Sequence, residues 1–364
     1  MELNFQRDEL LRALQRLQSI AATRNTIPIL SNTLISAGDE GIVMAATDLE
    51  VGIKLKVPGT VEEEGSITIP VRKFLEIVRE LPSDEVRITT LANDRIEITY
   101  DRGSYKIVGL PSDEFPSFPE PSEDYLVMDS DVLVGMIGRT SFAASAEEGG
   151  FYDGVYFHLT PDSVRMVASD RRRLAMMSER METPVEEETG VIIPLKAVNE
   201  FAKNFEGAGE IRVFIQENQI MFQGEDRTLV SRLIEGSFPD YEAIIPKTSE
   251  IRIVADTQEM LGAVRRVSLL ADPKTLMIIM DISEGKLVLS ASTPDFGSAY
   301  EEMELKESTG QIKIAFMARY ISDVLRNINC EEIVFEFNEP LSPALARPSD
   351  SDNYIYLIMP MRME

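Results

Sequence analysis

Apolar residues recur at helical spacing in residues 67–81, ITIPVRKFLEIVREL. A short alternating run leads into Pro70, after which Phe74, Ile77, Val78 and Leu81 fall on one side of a helix. Arg72 and Arg79, a heptad apart, share the opposite side. The same pattern is written twice more. VIIPLKAVNEFAKNF, from Val191, sets Pro194 in the place of Pro70 and repeats the apolar side as Val198, Phe201, Ala202 and Phe205. IAFMARYISDVLRNI, ending at Ile328, sets Met317 there and repeats it as Ile321, Val324, Leu325 and Ile328. The basic pair recurs as Lys196 and Lys203, then as Arg319 and Arg326. A repeated apolar side is a statement about the core. A repeated basic pair on the wet side points to a shared electrostatic task.

A second helical pattern opens each copy. It covers residues 7–24, with Leu10, Leu11, Leu14 and Leu17 apolar, Asn4 or Asp8 able to cap its start, and Asp8 and Glu9 near its positive end. Its counterparts follow Asp129, with Leu133, Val134 and Ile137, and Asp256, with Met260, Leu261 and Val264. Aligning Leu14, Ile137 and Val264 also aligns Arg16, Arg139 and Arg266. Between the helices lie β-prone runs broken by turn signals, among them the hairpin pairs Asn93-Asp94 and Glu217-Asn218. Two Pro-rich stretches, FPSFPEPSEDY from Phe115 and FPDYEAIIPKTSE from Phe238, read as linkers. The pattern predicts an α+β chain of three similar two-helix, multi-strand domains, bounded at 1–120, 121–245 and 246–364.

Composition changes this picture in one respect. The 364 residues carry a formal net charge of −26, which taken alone argues against a nucleic-acid partner. Screening over about 8 Å at physiological salt lets a local basic lane outweigh distant charge. Arg72, Lys196 and Arg319 therefore have two readings. They pair with Glu76, Glu200 and Asp323 four residues on, for about 0.2–0.5 kcal/mol each, or they form lanes for a polyanion. One Cys and one His exclude an intrachain disulfide and a two-His metal site, and suit a reducing, cytoplasmic setting. No secretion signal or membrane-length apolar run is present.

No catalytic constellation emerges, and no metal or cofactor is expected. Asp295-Phe296-Gly297 lacks the companion loops of a kinase and reads as a turn. His158 reads as a strand residue and Cys330 as a small apolar one. Asp48, Asp170 and Asp295 stand at matching strand ends, where turn capping is expected.

PIL at Pro28, TDLE at Thr47, IPVRKF at Ile69, ASDRRRLA at Ala168, FPDY at Phe238 and YLIMPMR at Tyr356 occur in one order and spacing. Together they make the chain resemble the bacterial DNA polymerase III β sliding clamps over essentially its whole length. The resemblance implies a non-enzymatic processivity factor with the DNA clamp fold. Two chains would join head to tail as a homodimeric six-domain ring, helices inside and sheets outside, encircling double-stranded DNA. DNA-facing positions would be Arg24, Arg72, Arg79, Arg139, Lys196, Lys203, Arg266, Arg319 and Arg326. A pocket for short motifs of the DNA polymerase III α subunit, the clamp-loader δ subunit and other clamp-binding-motif proteins is implied at matching positions. These are Tyr152, Ser169, Arg173, Leu174, Pro239, Ile244, Leu341, Leu357, Ile358, Met359, Pro360, Met361 and Arg362. The dimer seam is implied at Arg102, Tyr105, Lys106, Ile107, Leu269, Leu270, Glu301, Glu302 and Glu304. Arg171, Arg172, Ala243 and Pro343 depart from the family pattern and leave the pocket's motif preference open. The alternative is a repeat-built adaptor that binds peptides without encircling DNA.

Overall fold

The structure, a computed structural model, describes residues 1–22, 27–145, 149–180 and 187–363. Among these residues run six α-helices: α1 (Arg7–Ile20), α2 (Val71–Glu80), α3 (Ser130–Thr140), α4 (Leu195–Phe205), α5 (Thr257–Ser268) and α6 (Ala318–Asn327). The chain divides into two compact units, Met1–Val134 with Lys196–Leu233, and Gly135–Leu195 with Ile234–Glu364.

In the first unit an eight-stranded antiparallel sheet runs Leu126–Asp129, Glu210–Ile215, Gln219–Gln223, Arg227–Arg232, Val51–Val57, Gly41–Thr47, Asn32–Gly38, Gly65–Pro70. Arg227–Arg232 pairs with Val51–Val57, Leu229 opposite Ile53, so the ladder passes from one sequence repeat into the next. Val51–Val57 reads VGIKLKV, and its alternation puts Ile53 and Leu55 in the core and leaves Lys54 and Lys56 towards water. A five-stranded sheet, Thr60–Glu63, Glu2–Gln6, Glu85–Leu91, Arg95–Tyr100, Gly103–Val108, completes the unit. The hairpin at Asn93 and Asp94 turns with positive φ at both, as a tight antiparallel turn requires.

The second unit repeats the plan. Its nine-stranded sheet runs Thr189–Pro194, Gly154–Leu159, Ser163–Ser169, Arg173–Arg180, Tyr354–Ile358, Ala344–Pro348, Glu332–Phe337, Ile251–Asp256, Glu307–Ser308. Here Arg173–Arg180 pairs with Tyr354–Ile358, Leu174 opposite Leu357. A four-stranded sheet holds Gly297–Glu304, Lys286–Thr293, Met277–Ser283 and Ile312–Met317.

Two expectations are corrected. The first helix takes Gln6 as its N-cap without a side-chain bond, because Asn4 lies in a strand and Asp8 is already inside the helix. Asp129 and Asp256 do cap α3 and α5, each through Oδ1 and two backbone N–H groups. The Pro-rich stretches are not free linkers. Phe115 is buried with Ile29, Leu30 and Ala45, and Phe118 packs on Phe214, Met221 and Val230. A Cβ on Gly52 would lie 2.8 Å from Phe118 Cε1, so glycine is what lets that ring approach the strand. No helix among the described residues is long and apolar enough to cross a membrane.

Candidate functional site

The repeated helices bury the side the sequence marks. Phe74, Ile77 and Val78 of α2, Val198, Phe201 and Phe205 of α4, and Ile321, Val324 and Leu325 of α6 are all buried; Ala202 is half-buried. The basic positions then separate by partner. Arg72 and Arg79 are exposed and make no ion pair with a described residue; Glu76 pairs with Lys73 instead. Lys196 is drawn onto Asp48, while exposed Lys203 stands 4.0 Å from Glu200. Arg319 is 69% exposed with Nε 3.7 Å from Asp323, and Arg326 is 50% exposed with Nη1 3.8 Å from it. Of the three pairings expected at i,i+4, only Arg319–Asp323 forms. On the first helices, half-buried Arg139 reaches Met177 Sδ at 3.7 Å, and Arg266 Nε donates to Glu301 at 2.9 Å. Arg24 lies outside the described residues.

A single turn is used in two repeats. At Thr47-Asp48-Leu49-Glu50-Val51, Thr47 Oγ1 donates to the Val51 carbonyl at 3.0 Å and Asp48 Oδ1 accepts from the N–H groups of Glu50 and Val51. At Ser169-Asp170-Arg171-Arg172-Arg173, Ser169 Oγ donates to the Arg173 carbonyl at 2.8 Å and Asp170 Oδ1 accepts from Arg172 and Arg173. The central residues, Leu49 and Arg171, both have positive φ, 78° and 70°. The turn capping expected of Asp48 and Asp170 is what the geometry gives; the turn at Asp295 shows no such bond among the described residues.

Arg173 stands where the first repeat has Val51, and it is only 4% exposed. Its guanidinium donates to Asp170 Oδ2 at 3.0 Å, Asp323 Oδ2 at 2.6 Å and the Phe142 carbonyl at 2.8 Å, with the Tyr320 ring 4.6 Å away. Burial works against its charge, yet the Tyr356 hydroxyl, Asp323 and Asp170 hold its pKa above the ordinary arginine range. Breaking one partner of such a buried set is strongly destabilising, because it leaves a charge without compensation.

Beside Arg173 opens a mostly apolar cleft of about 620 Å³. Tyr152, Ser169, Arg173, Leu174, Pro239, Ile244, Leu357 and Met359 line it, all foreseen from the sequence. Arg171, Phe238, Asp240, Tyr241 and Pro343 line it as well. The remaining foreseen positions do not. Ile358 is fully buried on the other side of its strand, Met361 bridges to Ala315, Leu341 is 60% exposed on a turn, and Pro360 and Arg362 flank Met361. An aromatic wall backs the cleft. Tyr156 stacks on Phe238, ring centroids 4.9 Å apart, and Tyr241 Oη lies 2.8 Å from His158 Nδ1 and accepts from Arg165 Nη1 at 3.1 Å. His158, whose Nε2 lies 2.7 Å from Glu188, thus braces the wall rather than simply filling a strand.

The N-terminal, central and C-terminal domain profiles of the DNA polymerase III beta subunit match residues 1–119, 127–240 and 242–362. A beta sliding clamp of Pseudomonas aeruginosa is 31% identical, with all of both chains covered. One of Staphylococcus aureus is 30% identical over all of this chain and 99% of its own length. The chain belongs to the DNA polymerase III beta subunit family. The crystal structures of the Pseudomonas aeruginosa beta subunit and the Bacillus subtilis polymerase sliding clamp superpose with TM-scores of 0.94 and 0.95, at 31% and 27% identity, with complete coverage of both chains.

Within this clamp-family chain the foreseen seam residues fall on two outer strands and a helix end. Gly103–Val108 closes the five-stranded sheet, with Arg102, Tyr105 and Lys106 exposed and Ile107 half-buried. Gly297–Glu304 closes the four-stranded sheet; Leu269 is 81% exposed and Leu270 half-buried after α5. Four of the charges there already have partners in the same chain: Lys106 with Glu97, Glu301 with Arg266, Glu302 and Glu304 with Lys286. The residues that sequence reasoning left out of the cleft carry a signal of their own. Phe238, Asp240 and Tyr241 belong to the FPDY motif, of which only Pro239 was assigned to the pocket.

Proposed function

We propose that two copies of this chain close head to tail into a ring through which duplex DNA passes, and that the ring tethers a polymerase without itself catalysing a reaction. The domain division proposed is 1–120, 121–245 and 246–364, supported by the limits of the three family matches. The observation that carries the reading is the recurrence of solvent-exposed cations on the wet side of equivalent helices: Arg72 and Arg79, Lys203, Arg319 and Arg326. They occur in a chain of net charge −26, whose acidic remainder repels phosphate elsewhere. A handful of screened cations suits sliding, since each further phosphate neutralised strengthens binding and its salt dependence. Lys196 and Arg266 reach a phosphate only by leaving Asp48 and Glu301.

The cleft is the seat proposed for linear segments of the polymerase III α subunit, the clamp-loader δ subunit and repair proteins in the cytoplasm. Its apolar lining with a few polar groups at the rim suits short aliphatic and aromatic anchors. The seam residues are proposed to join Gly103–Val108 of one protomer to Gly297–Glu304 of its partner. Retention on DNA tests the whole. The ring is expected to stay on circular duplex and to run off a linear one with free ends. Equal retention on both defeats encirclement and favours a peptide adaptor.

A further inference from the structure

Three arginines converge on one carboxylate in the second unit. Asp323, 15% exposed, accepts from Arg173 Nη1 at 2.6 Å, while Arg319 and Arg326 stand off at 3.7 and 3.8 Å. Asp170, 3.0 Å from Arg173 Nε, is the second carboxylate of the cluster. Three cations thus face two anions, and the loosely held pair is the exposed one. Arg173 belongs to the cleft wall. Arg319 and Arg326 lie on the wet side of α6.

We propose that Asp323 is a positioning residue that couples occupancy of the cleft to the anion bound along α6. The inference rests on the clamp reading given above. Without a polyanion, Arg319 and Arg326 pull on Asp323 and compete with Arg173 for it. A phosphate backbone along α6 offers those two arginines other partners. Asp323 then serves Arg173 alone and fixes the guanidinium against the Tyr320 ring and the cleft. A wall already fixed lowers the ordering cost of seating a peptide. Linkage makes the effect mutual: a seated peptide strengthens the hold of α6 on the duplex by the same factor.

The test measures the affinity of the full-length protein for a fluorescent peptide carrying the clamp-binding segment of the polymerase III α subunit, with the ring free and with it loaded on circular duplex. Duplex is expected to tighten the peptide by about fivefold, the lower end of allosteric couplings. In the double variant R319Q/R326Q the duplex-free affinity is expected to rise to the duplex-bound value of the native protein. A role for these arginines in DNA binding alone would leave that duplex-free affinity unchanged, and that result overturns the inference, as does a native protein whose peptide affinity ignores duplex. D323N is expected to abolish the coupling; should it fail to fold, R319Q/R326Q carries the test alone. A peptide whose binding survives Met359→Asp at the cleft edge overturns the cleft reading itself, and this inference with it.

Discussion

The hydroxyl of Tyr241 joins two charged neighbourhoods, with His158 Nδ1 at 2.8 Å on one side and Arg165 Nη1 at 3.1 Å on the other. Tyr241 also lines the cleft, and its burial pushes the phenol pKa up and keeps it protonated. Tyr241→Phe keeps the ring and removes both bonds. A loss of about 1–3 kcal/mol follows from leaving buried polar groups without that partner. Thermal unfolding measures it, and peptide affinity is expected to fall alongside.

Gly190 faces the aromatic wall from the neighbouring strand. A Cβ there would stand 2.2 Å from Tyr156 Oη, so the ring lies across the glycine. Gly190→Ala displaces Tyr156, whose coplanar partner is Phe238 of the cleft. Weaker peptide binding with unchanged retention on circular DNA is the expected result. Equal peptide affinity in the alanine variant would detach the wall from the cleft.

Charge reversal separates the helix cations into classes. Arg72→Glu, Lys203→Glu and Arg326→Glu together are expected to impair retention on circular DNA and flatten its salt dependence, by about one unit of slope for each phosphate no longer neutralised. Melting temperature is expected to stay within a few degrees, since exposed pairs contribute about 0–1 kcal/mol. Lys196→Glu is expected to lower it further than any of these, because it faces Asp48 with a like charge.

Acid stability is expected to depend on Asp226. A hydrogen bond from Arg227 holds its carboxyl below the usual aspartate range. The unfolded chain therefore takes up this proton at higher pH than the folded one. The stabilisation is complete above the ordinary aspartate pKa and is lost as pH falls through the lowered one. Asp226→Asn is expected to flatten that acid limb in a pH series of denaturant melts.

The helix triplication was legible because a 3.6-residue apolar period needs no partner to be recognised. The turn roles of Asp48 and Asp170 were legible because such capping is a local event. The partners of Lys196 and Arg173 were not, since Asp48 and Asp323 come to them from distant segments through the fold. FPDY, with its proline and acid, has the composition of a loop, and its packing of Phe238 and Tyr241 on Tyr156 is tertiary. On Tyr354–Ile358 the two-residue period separates Leu357, in the cleft, from Ile358, away from it; a run of matching positions hides that alternation.

The pairing of Arg227–Arg232 with Val51–Val57 leaves no place to cut the chain cleanly. Severed near residue 120, the amino-terminal fragment would bare a long rim of unsatisfied amides and carbonyls, an invitation to filament growth. Continuity of the ladder makes Val51–Val57 and Arg227–Arg232 parts of one sheet, and the gene cannot be shortened by a repeat without turning that sheet's rim into a sticky end.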